Sequence, residues 1–133
     1  MGDEQILADL KRNVVLGRVD EEDEGFDGGM EGEPGVTELI RAAVEQDVPV
    51  KRILTEALWP AMEEVGAKYD SKEYLVPDML ASAECVSCAM DILAPQLVGS
   101  NAGRKGRVVI ATVEGDLHDI GKSIVATLLK GAG

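Results

Sequence analysis

The segment with the clearest potential for chemistry is D-L-H-D-I-G, residues 116–121, which contains the only histidine among the 133 residues. Asp116 lies two residues before His118, and Asp119 directly follows it, so the imidazole has carboxylates nearby in sequence. A neutral imidazole is a common metal ligand, and a carboxylate often orients its second nitrogen. Because one histidine cannot hold a free metal ion tightly, the pattern favours a metal that a cofactor already chelates. A loop histidine that caps a helix is equally compatible with these residues.

Two predicted elements flank this loop and would position it. The run R-V-V-I-A-T-V, residues 107–113, is continuously apolar and β-branched, which predicts a strand buried on both faces of a parallel sheet. Residues 121–130 predict a helix, and the polar, glycine-rich residues 99–106 predict a linker before the strand. Strand, loop and helix in this order open a doubly wound α/β domain, in which ligands bind at the carboxyl ends of the strands. A phosphate-binding loop fits less well, because five residues rather than four separate Gly115 from Gly121.

The preceding part of the chain, residues 1–98, predicts helices only. Apolar residues at helical spacing mark a first helix that ends at Gly17, and a second that begins near Val36. Asp47 and Pro49 are predicted to be the cap and the first-turn proline of a third helix. Short connections between amphipathic helices are typical of a bundle.

Prolines shape the last two predicted helices. Pro60 removes a backbone donor within the third helix, so we expect a kink near Trp59. The fourth helix is predicted from near Pro77 to about Val98, with Pro95 as a candidate early end. The result is a predicted four-helix bundle.

The chain is acidic, with a formal net charge of -12, and part of that charge lies in the glycine-rich residues 20–35. This segment has only Phe26 and Met30 as sizeable apolar residues, so we expect a mobile loop. The charge argues against a nucleic-acid partner, which would require a basic surface. Because no run has membrane-spanning length and no signal segment is evident, we expect no membrane partner and a cytoplasmic location.

Cys85 and Cys88 form a C-x-x-C pattern inside the fourth predicted helix. A thioredoxin-like motif would instead open a helix after a strand, and a zinc site would need further ligands that are not evident nearby. The favoured interpretation is two small residues packed in a helical core.

Two segments together resemble known cobalamin-binding proteins. D-L-H-D-I-G matches the D-x-H-x-x-G motif of cobalamin-binding domains, and residues 63–97, E-E-V-G-A-K-Y-D-S-K-E-Y-L-V-P-D-M-L-A-S-A-E-C-V-S-C-A-M-D-I-L-A-P-Q-L, resemble the helical cap module that precedes such domains. Methionine synthase and the small corrinoid proteins of methyltransferase systems have these parts in this order. The resemblance implies a four-helix cap module at residues 1–98, followed at 107–133 by the first strand, loop and helix of an incomplete Rossmann-like, flavodoxin-like α/β domain.

The resemblance also assigns roles to motif residues. His118 matches the lower axial ligand of the cobalt, and Asp116 matches the residue that hydrogen-bonds this histidine and tunes its donation. Gly121 matches the glycine that gives the nucleotide tail of the cofactor room. The other motif residues expected in the cofactor site are Leu117, Asp119 and Ile120.

Family cap modules lay an apolar residue over the upper face of the corrin ring, just before the proline of the last helix. Leu75 is the matching residue here, and Met79 and Cys85 follow about one and three turns further along. These three residues complete the predicted cofactor-binding set.

The function implied by the resemblance is that of a corrinoid protein that carries a methyl group on cobalt. The expected partners are a donor-specific methyltransferase, an acceptor methyltransferase that uses a pterin or a thiol, and a reductive activase, and a homo-oligomer is compatible with the sequence. Such a chain would be the carrier subunit of a methyltransferase system rather than a stand-alone enzyme. The alternatives are a cobalamin-dependent sensor or regulatory module, and a helical interaction module that binds no cofactor.

The residues after Gly121 depart from the family pattern. A complete cobalamin domain continues with further strands and with two later motifs that line the nucleotide pocket, whereas the sequence ends at Gly133. We therefore expect the sequence to be a fragment of a longer protein, with a second chain that completes the sheet as the alternative. A fragment without most of the nucleotide pocket could lack the cofactor that its parent binds.

Overall fold

The computed structural model describes residues 2–26, 28–97 and 105–115 and the separate positions 122, 125, 126 and 129. Its helices are α1 (Asp3–Val15), α2 (Val36–Glu45), α3 (Val50–Arg52), a π-helical segment (Ile53–Leu58), α4 (Trp59–Asp70) and α5 (Val76–Leu97). Because α3, the π-helical segment and α4 follow one another without a break, they form one rod. The prediction of four helices for this part of the chain is confirmed.

The four rods share one hydrophobic core. Helix α1 contacts α2, the π-helical segment, α4 and α5, and α2 packs against α5. Full burial of one aliphatic side chain contributes about 1.5–3 kcal/mol, so the core supplies the main favourable free energy of folding. Its largest completely or almost completely buried aliphatic side chains are Ile6, Leu10, Val14, Val36, Ile40, Ile53, Leu54, Leu58, Val65, Val86 and Leu93.

Because the buried residues of this core all lie between Ile6 and Leu93, deletion of residues 99–133 is expected to leave the bundle folded. The thermal midpoint should change by less than about 5 °C, which corresponds to less than roughly 1 kcal/mol for a domain of this size. Circular dichroism at 222 nm during heating measures this. Loss of the cooperative helical transition would contradict the prediction.

The predicted capping role of Asp47 was wrong, because Asp47 closes α2 instead of opening α3. Its backbone has a φ of +55°, and its N–H donates to the Val44 carbonyl at 3.1 Å. The Val48 N–H reaches back to the Ala43 carbonyl at 3.0 Å, which completes a Schellman pattern. The residue at the N-cap of α3 is Pro49.

The irregularity expected near Trp59 takes the form of a π-helical segment. Pro60 has no N–H, and a proline ring clashes with the carbonyl four residues earlier in a regular α-helix. In the preceding turn the Trp59 N–H donates to the carbonyl of Leu54, five residues earlier. This wider turn accommodates the proline while the rod continues through Asp70.

Helix α5 has the predicted bounds to within a residue, and Pro95 lies inside it without ending it. A proline in the last turn of a helix forfeits one backbone hydrogen bond, which the 22-residue helix tolerates.

The acidic segment is folded around Arg18, whose side chain is completely buried. Its Nε donates to the Asp23 carbonyl at 2.8 Å, and its Nη2 donates to the carbonyls of Met30 and Glu33, each at 2.9 Å. Its Nη1 donates to Oδ1 of Asn13 at 2.8 Å. Neutral oxygens from α1 and from both halves of the loop therefore surround one guanidinium group.

The two ends of this segment are also joined. The Val36 N–H donates to the Arg18 carbonyl at 3.2 Å, and the Thr37 N–H donates to the Val19 carbonyl at 2.8 Å. A Cβ at Gly35 would lie 2.6 Å from backbone atoms of Asp20, so this crossing needs glycine. The closed ends and compact interior are typical of an Ω-loop. The composition of residues 20–35 predicts mobility, whereas these hydrogen bonds favour order, and proteolysis decides between the two.

The strand predicted at residues 107–113 is not formed in the structure. The residues are described but unpaired, and Val108, Val109 and Val113 are largely exposed, Val109 at 89%. A strand requires a neighbour to accept and donate backbone hydrogen bonds, and the described residues contain no second extended segment that pairs with it. Of the helix predicted at 121–130, the four described positions are helical.

None of the helices in the described residues is both long and apolar enough to cross a membrane.

Candidate functional site

The corner between α4 and α5 is held by Tyr74. Its hydroxyl donates to the Val15 carbonyl at the end of α1, at 2.6 Å. Its ring meets the Phe26 ring edge-on, with 5.5 Å between the two centroids. Nζ of Lys68 also lies 5.5 Å from the centroid of the Tyr74 ring. Burial raises the pKa of Tyr74, so its hydroxyl stays protonated and remains a donor at neutral pH.

Leu75 follows this anchor and points into solvent, with 65% of its surface exposed. Its backbone N–H donates to Oδ2 of Asp78 at 2.8 Å, which satisfies a donor at the start of α5 and places a carboxylate at the positive end of the helix. Pro77 lies in the first turn, where its missing N–H costs nothing. An exposed leucine on a hydrogen-bonded corner is suited to contact with a flat apolar surface.

The two residues predicted to accompany Leu75 are placed differently from it. Met79 is partly buried and packs against the core. Cys85 has no exposed surface and lies within the core, so the structure does not present its side chain to a ligand. The interpretation of C-x-x-C as core packing agrees with the position of Cys85, and neither Cys85 nor Cys88 is in a disulfide.

Burial raises the pKa of the Cys85 thiol, and the neighbouring Cys88 adds to the effect. Since the thiolate is the reactive form, we expect Cys88, which is partly exposed, to react with iodoacetamide at least about tenfold faster than Cys85. Peptide mass spectrometry after short labelling of the native protein measures both rates, and labelling in denaturant serves as the control. Equal native rates would show that Cys85 is accessible.

The motif loop lies outside the described residues. It contains the predicted site residues Asp116, Leu117, His118, Asp119, Ile120 and Gly121. The two residues before it, Glu114 and Gly115, form a turn in which Gly115 has a φ of +82°. Such a conformation favours glycine, because the Cβ of any other residue would be strained there. Among the described residues, no cluster of three or more histidine, cysteine, aspartate or glutamate side chains could hold a metal ion.

Arg18, Phe26 and Tyr74 form a connected group that was not predicted from the sequence. The Phe26 ring projects from the Arg18-centred loop, the acidic residues 20–35, and packs over Gly17. A Cβ at Gly17 would lie 2.7 Å from Cζ of Phe26. Gly17 therefore ends α1 and also makes room for the ring that supports Tyr74. The only sequence signal was an aromatic residue in an otherwise polar acidic run, which does not reveal its partner.

Comparison with known proteins defines the class first. Residues 32–94 match a family model described as a B12 binding domain. The matched segment begins in the acidic loop, runs through α2, α3 and α4 and ends within α5, so it includes Tyr74, Leu75, Met79 and both cysteines.

The chain is also similar to several corrinoid proteins. The chain is 37% identical over 101 residues to a corrinoid protein of Desulfitobacterium hafniense, a match covering 74% of this chain and 47% of the relative. It is 35% identical over 97 residues to monomethylamine corrinoid protein 2 of Methanosarcina acetivorans, covering 71% and 45% of the two chains. Trimethylamine corrinoid protein 2 of Methanosarcina mazei is 30% identical over 134 aligned positions, covering 99% of this chain and 55% of the relative.

The resemblance to cobalamin-binding methyl-carrier proteins is thereby confirmed. The chain spans about half the length of the curated relatives it matches. Because the match to the Methanosarcina mazei protein covers 99% of this chain, it includes residues 116–121 as well as the helices.

Proposed function

We propose that this chain belongs to a corrinoid protein that carries a methyl group between two methyltransferases. The observation that carries the proposal is an exposed leucine, Leu75, on the anchored corner of a helical domain that matches a B12 binding domain. Bound cobalamin would supply the cobalt on which the methyl group travels. The side chains of the protein would bind the cofactor, set its axial ligand and exclude solvent.

The described residues fit the upper side of such a cofactor at one position. Leu75 offers an apolar side chain that would cover the corrin ring, and Met79 lies about one turn along the same helix, partly exposed beside it. Cys85 is left out of the proposed contact because it is completely buried.

The lower side is proposed from the motif. His118 would donate one imidazole nitrogen to the cobalt, and Asp116 would accept a hydrogen bond from the other nitrogen. Gly121 would leave space for the nucleotide tail, and Leu117, Asp119 and Ile120 would line the same loop. Residues 107–113 would pair with further strands to form the α/β domain that holds this loop.

The proposed partners are a donor-specific methyltransferase, an acceptor methyltransferase that uses a pterin or a thiol, and a reductive activase. Methylated amines are the proposed class of donor, because two of the similar proteins are a monomethylamine and a trimethylamine corrinoid protein.

The test uses the protein as encoded by its gene, loaded with cobalamin, reduced, and mixed with a methylated amine and a methylamine-specific corrinoid methyltransferase. We expect one methyl group to leave the amine per bound cobalamin, together with the absorption change that accompanies methylation of cobalt. Binding of cobalamin without methylation by any methylated amine would reject the donor class. No binding at all would reject the carrier function.

A further inference from the structure

Three contacts converge on the residue that precedes Leu75. The Tyr74 hydroxyl bonds the Val15 carbonyl at 2.6 Å, the Tyr74 N–H bonds the Lys68 carbonyl at 3.0 Å, and the ring lies against Phe26. These contacts fix the connection between α4 and α5 to the end of α1 and to the last turn of α4. This fixed backbone sets the direction of the Cα–Cβ bond of the next residue, Leu75.

We propose that Tyr74 is a positioning residue that holds Leu75 in place over the cofactor. The proposal rests on the proposed function, because it assumes that Leu75 covers the corrin ring. Tyr74 itself points towards α1 and would not touch the cofactor.

The Arg18-centred loop supports the same corner from the other side. Arg18 holds the carbonyls of Asp23 and Met30, which lie on either side of Phe26 in the chain, and Phe26 packs edge-on against Tyr74. The acidic loop is therefore connected to the cofactor-facing leucine through two aromatic rings. A change in the loop is expected to reach Leu75 through Tyr74.

Tyr74→Phe tests the proposal, because it removes the hydroxyl and keeps the ring against Phe26. Ser82→Ala is the matched control. The Ser82 Oγ donates to the same Val15 carbonyl at 3.4 Å, but it belongs to the buried face of α5 and not to the corner. Both variants lose one hydrogen bond to one acceptor, and only Tyr74→Phe releases the residue beside Leu75.

The first measurement needs no cofactor. The amides of residues 74 and 75 donate to the Lys68 carbonyl and to Oδ2 of Asp78 in the wild type. Their hydrogen exchange, followed by mass spectrometry or NMR, should be about fivefold faster in Tyr74→Phe than in wild type and unchanged in Ser82→Ala. This factor corresponds to a lost hydrogen bond worth roughly 1 kcal/mol. Equal exchange in wild type and Tyr74→Phe would overturn the anchoring role.

The second measurement uses the protein as encoded by its gene, loaded with methylcobalamin. Light breaks the cobalt–carbon bond, and a side chain packed over the methyl group favours recombination. Tyr74→Phe should therefore lose the methyl group several-fold faster under illumination, at unchanged affinity for methylcobalamin, and Ser82→Ala should match wild type.

If Tyr74→Phe matched wild type in this photolysis while its exchange was faster, the corner would be anchored but Leu75 would not cover the cofactor, and the positioning role would be rejected. Wild-type protein that binds no methylcobalamin would reject the proposed function itself. These failures are distinguishable, because binding is measured before illumination.

Discussion

Arg18→Met is expected to lower the free energy of unfolding by about 3 kcal/mol. The replacement keeps an unbranched apolar stem but removes the guanidinium group, which leaves the carbonyls of Asp23, Met30 and Glu33 without their donor. Each buried acceptor left unsatisfied costs about 1–3 kcal/mol, and water entering the opened loop would recover part of that cost. The effect is a large fraction of the stability of a small domain, typically about 5–15 kcal/mol.

Urea denaturation followed by circular dichroism measures this change. Arg41→Met is the matched control, because it removes the same charge from an exposed position on α2 and should change stability by less than about 0.5 kcal/mol. Limited proteolysis adds a local measurement, since residues 20–35 should resist cleavage in wild type and be cut first in Arg18→Met. Similar stability of the two arginine variants, or immediate cleavage of the wild-type loop, would show that Arg18 does not organise this segment.

His118→Ala is expected to weaken binding of methylcobalamin by the largest factor of any single change in the motif, while the helical domain stays folded. The variant loses the proposed nitrogen ligand, so any cofactor that still binds should show the spectrum of the base-off form. Asp116→Asn keeps the imidazole and loses a charged hydrogen-bond partner, so affinity should fall by roughly ten- to hundredfold.

Both variants are made in the protein as encoded by its gene, and affinity is measured by equilibrium dialysis. Asp70→Asn, at an exposed position at the end of α4, provides a control for the loss of one carboxylate. The same affinity and the same spectrum in wild type and His118→Ala would mean that the histidine is a loop residue without a role at the metal.

The helices could be predicted because their signals are local. Apolar residues at helical spacing identify the faces that are buried, and Gly17 ends α1 with a φ of +68° as expected. Asp47 was misassigned because aspartate suits both a helix N-cap and the left-handed residue that follows a helix. The position of the last turn of α2 decides between these roles, and sequence alone leaves that position uncertain by a residue or two.

The fold of the acidic segment could not be predicted, because it depends on contacts between residues far apart in sequence. Its composition has too little apolar surface to form a core, which predicts mobility. The structure supplies a different source of order, a buried cation that bonds carbonyls 5 to 15 residues away. No periodicity or composition rule identifies such a residue.

The candidate site residues follow from the resemblance rather than from spacing alone, and their roles at a cofactor stay predictions. Leu75 is exposed, as a cofactor contact must be. At about 100° per residue, Cys85, ten residues after Leu75, lies about 80° around the helix from Leu75. Met79, four residues after Leu75, lies about 40° around the helix in the other direction. The rotation of Cys85 turns it into the core, a distinction that requires knowledge of which face α5 buries. The strand at 107–113 failed for a related reason, because a strand is specified by its neighbours as well as by its own sequence.

The most direct test of the central claim is electron paramagnetic resonance of the cobalt(II) form of the cofactor bound to the protein as encoded by its gene. Labelling histidine with the heavy nitrogen isotope distinguishes a histidine ligand from a nitrogen of the cofactor, and the His118→Ala variant then assigns the signal to His118. The account predicts that the nitrogen splitting of the cobalt signal changes from three lines to two on labelling and is lost in His118→Ala. A splitting that is unaffected by the label, or that persists in His118→Ala, would contradict it.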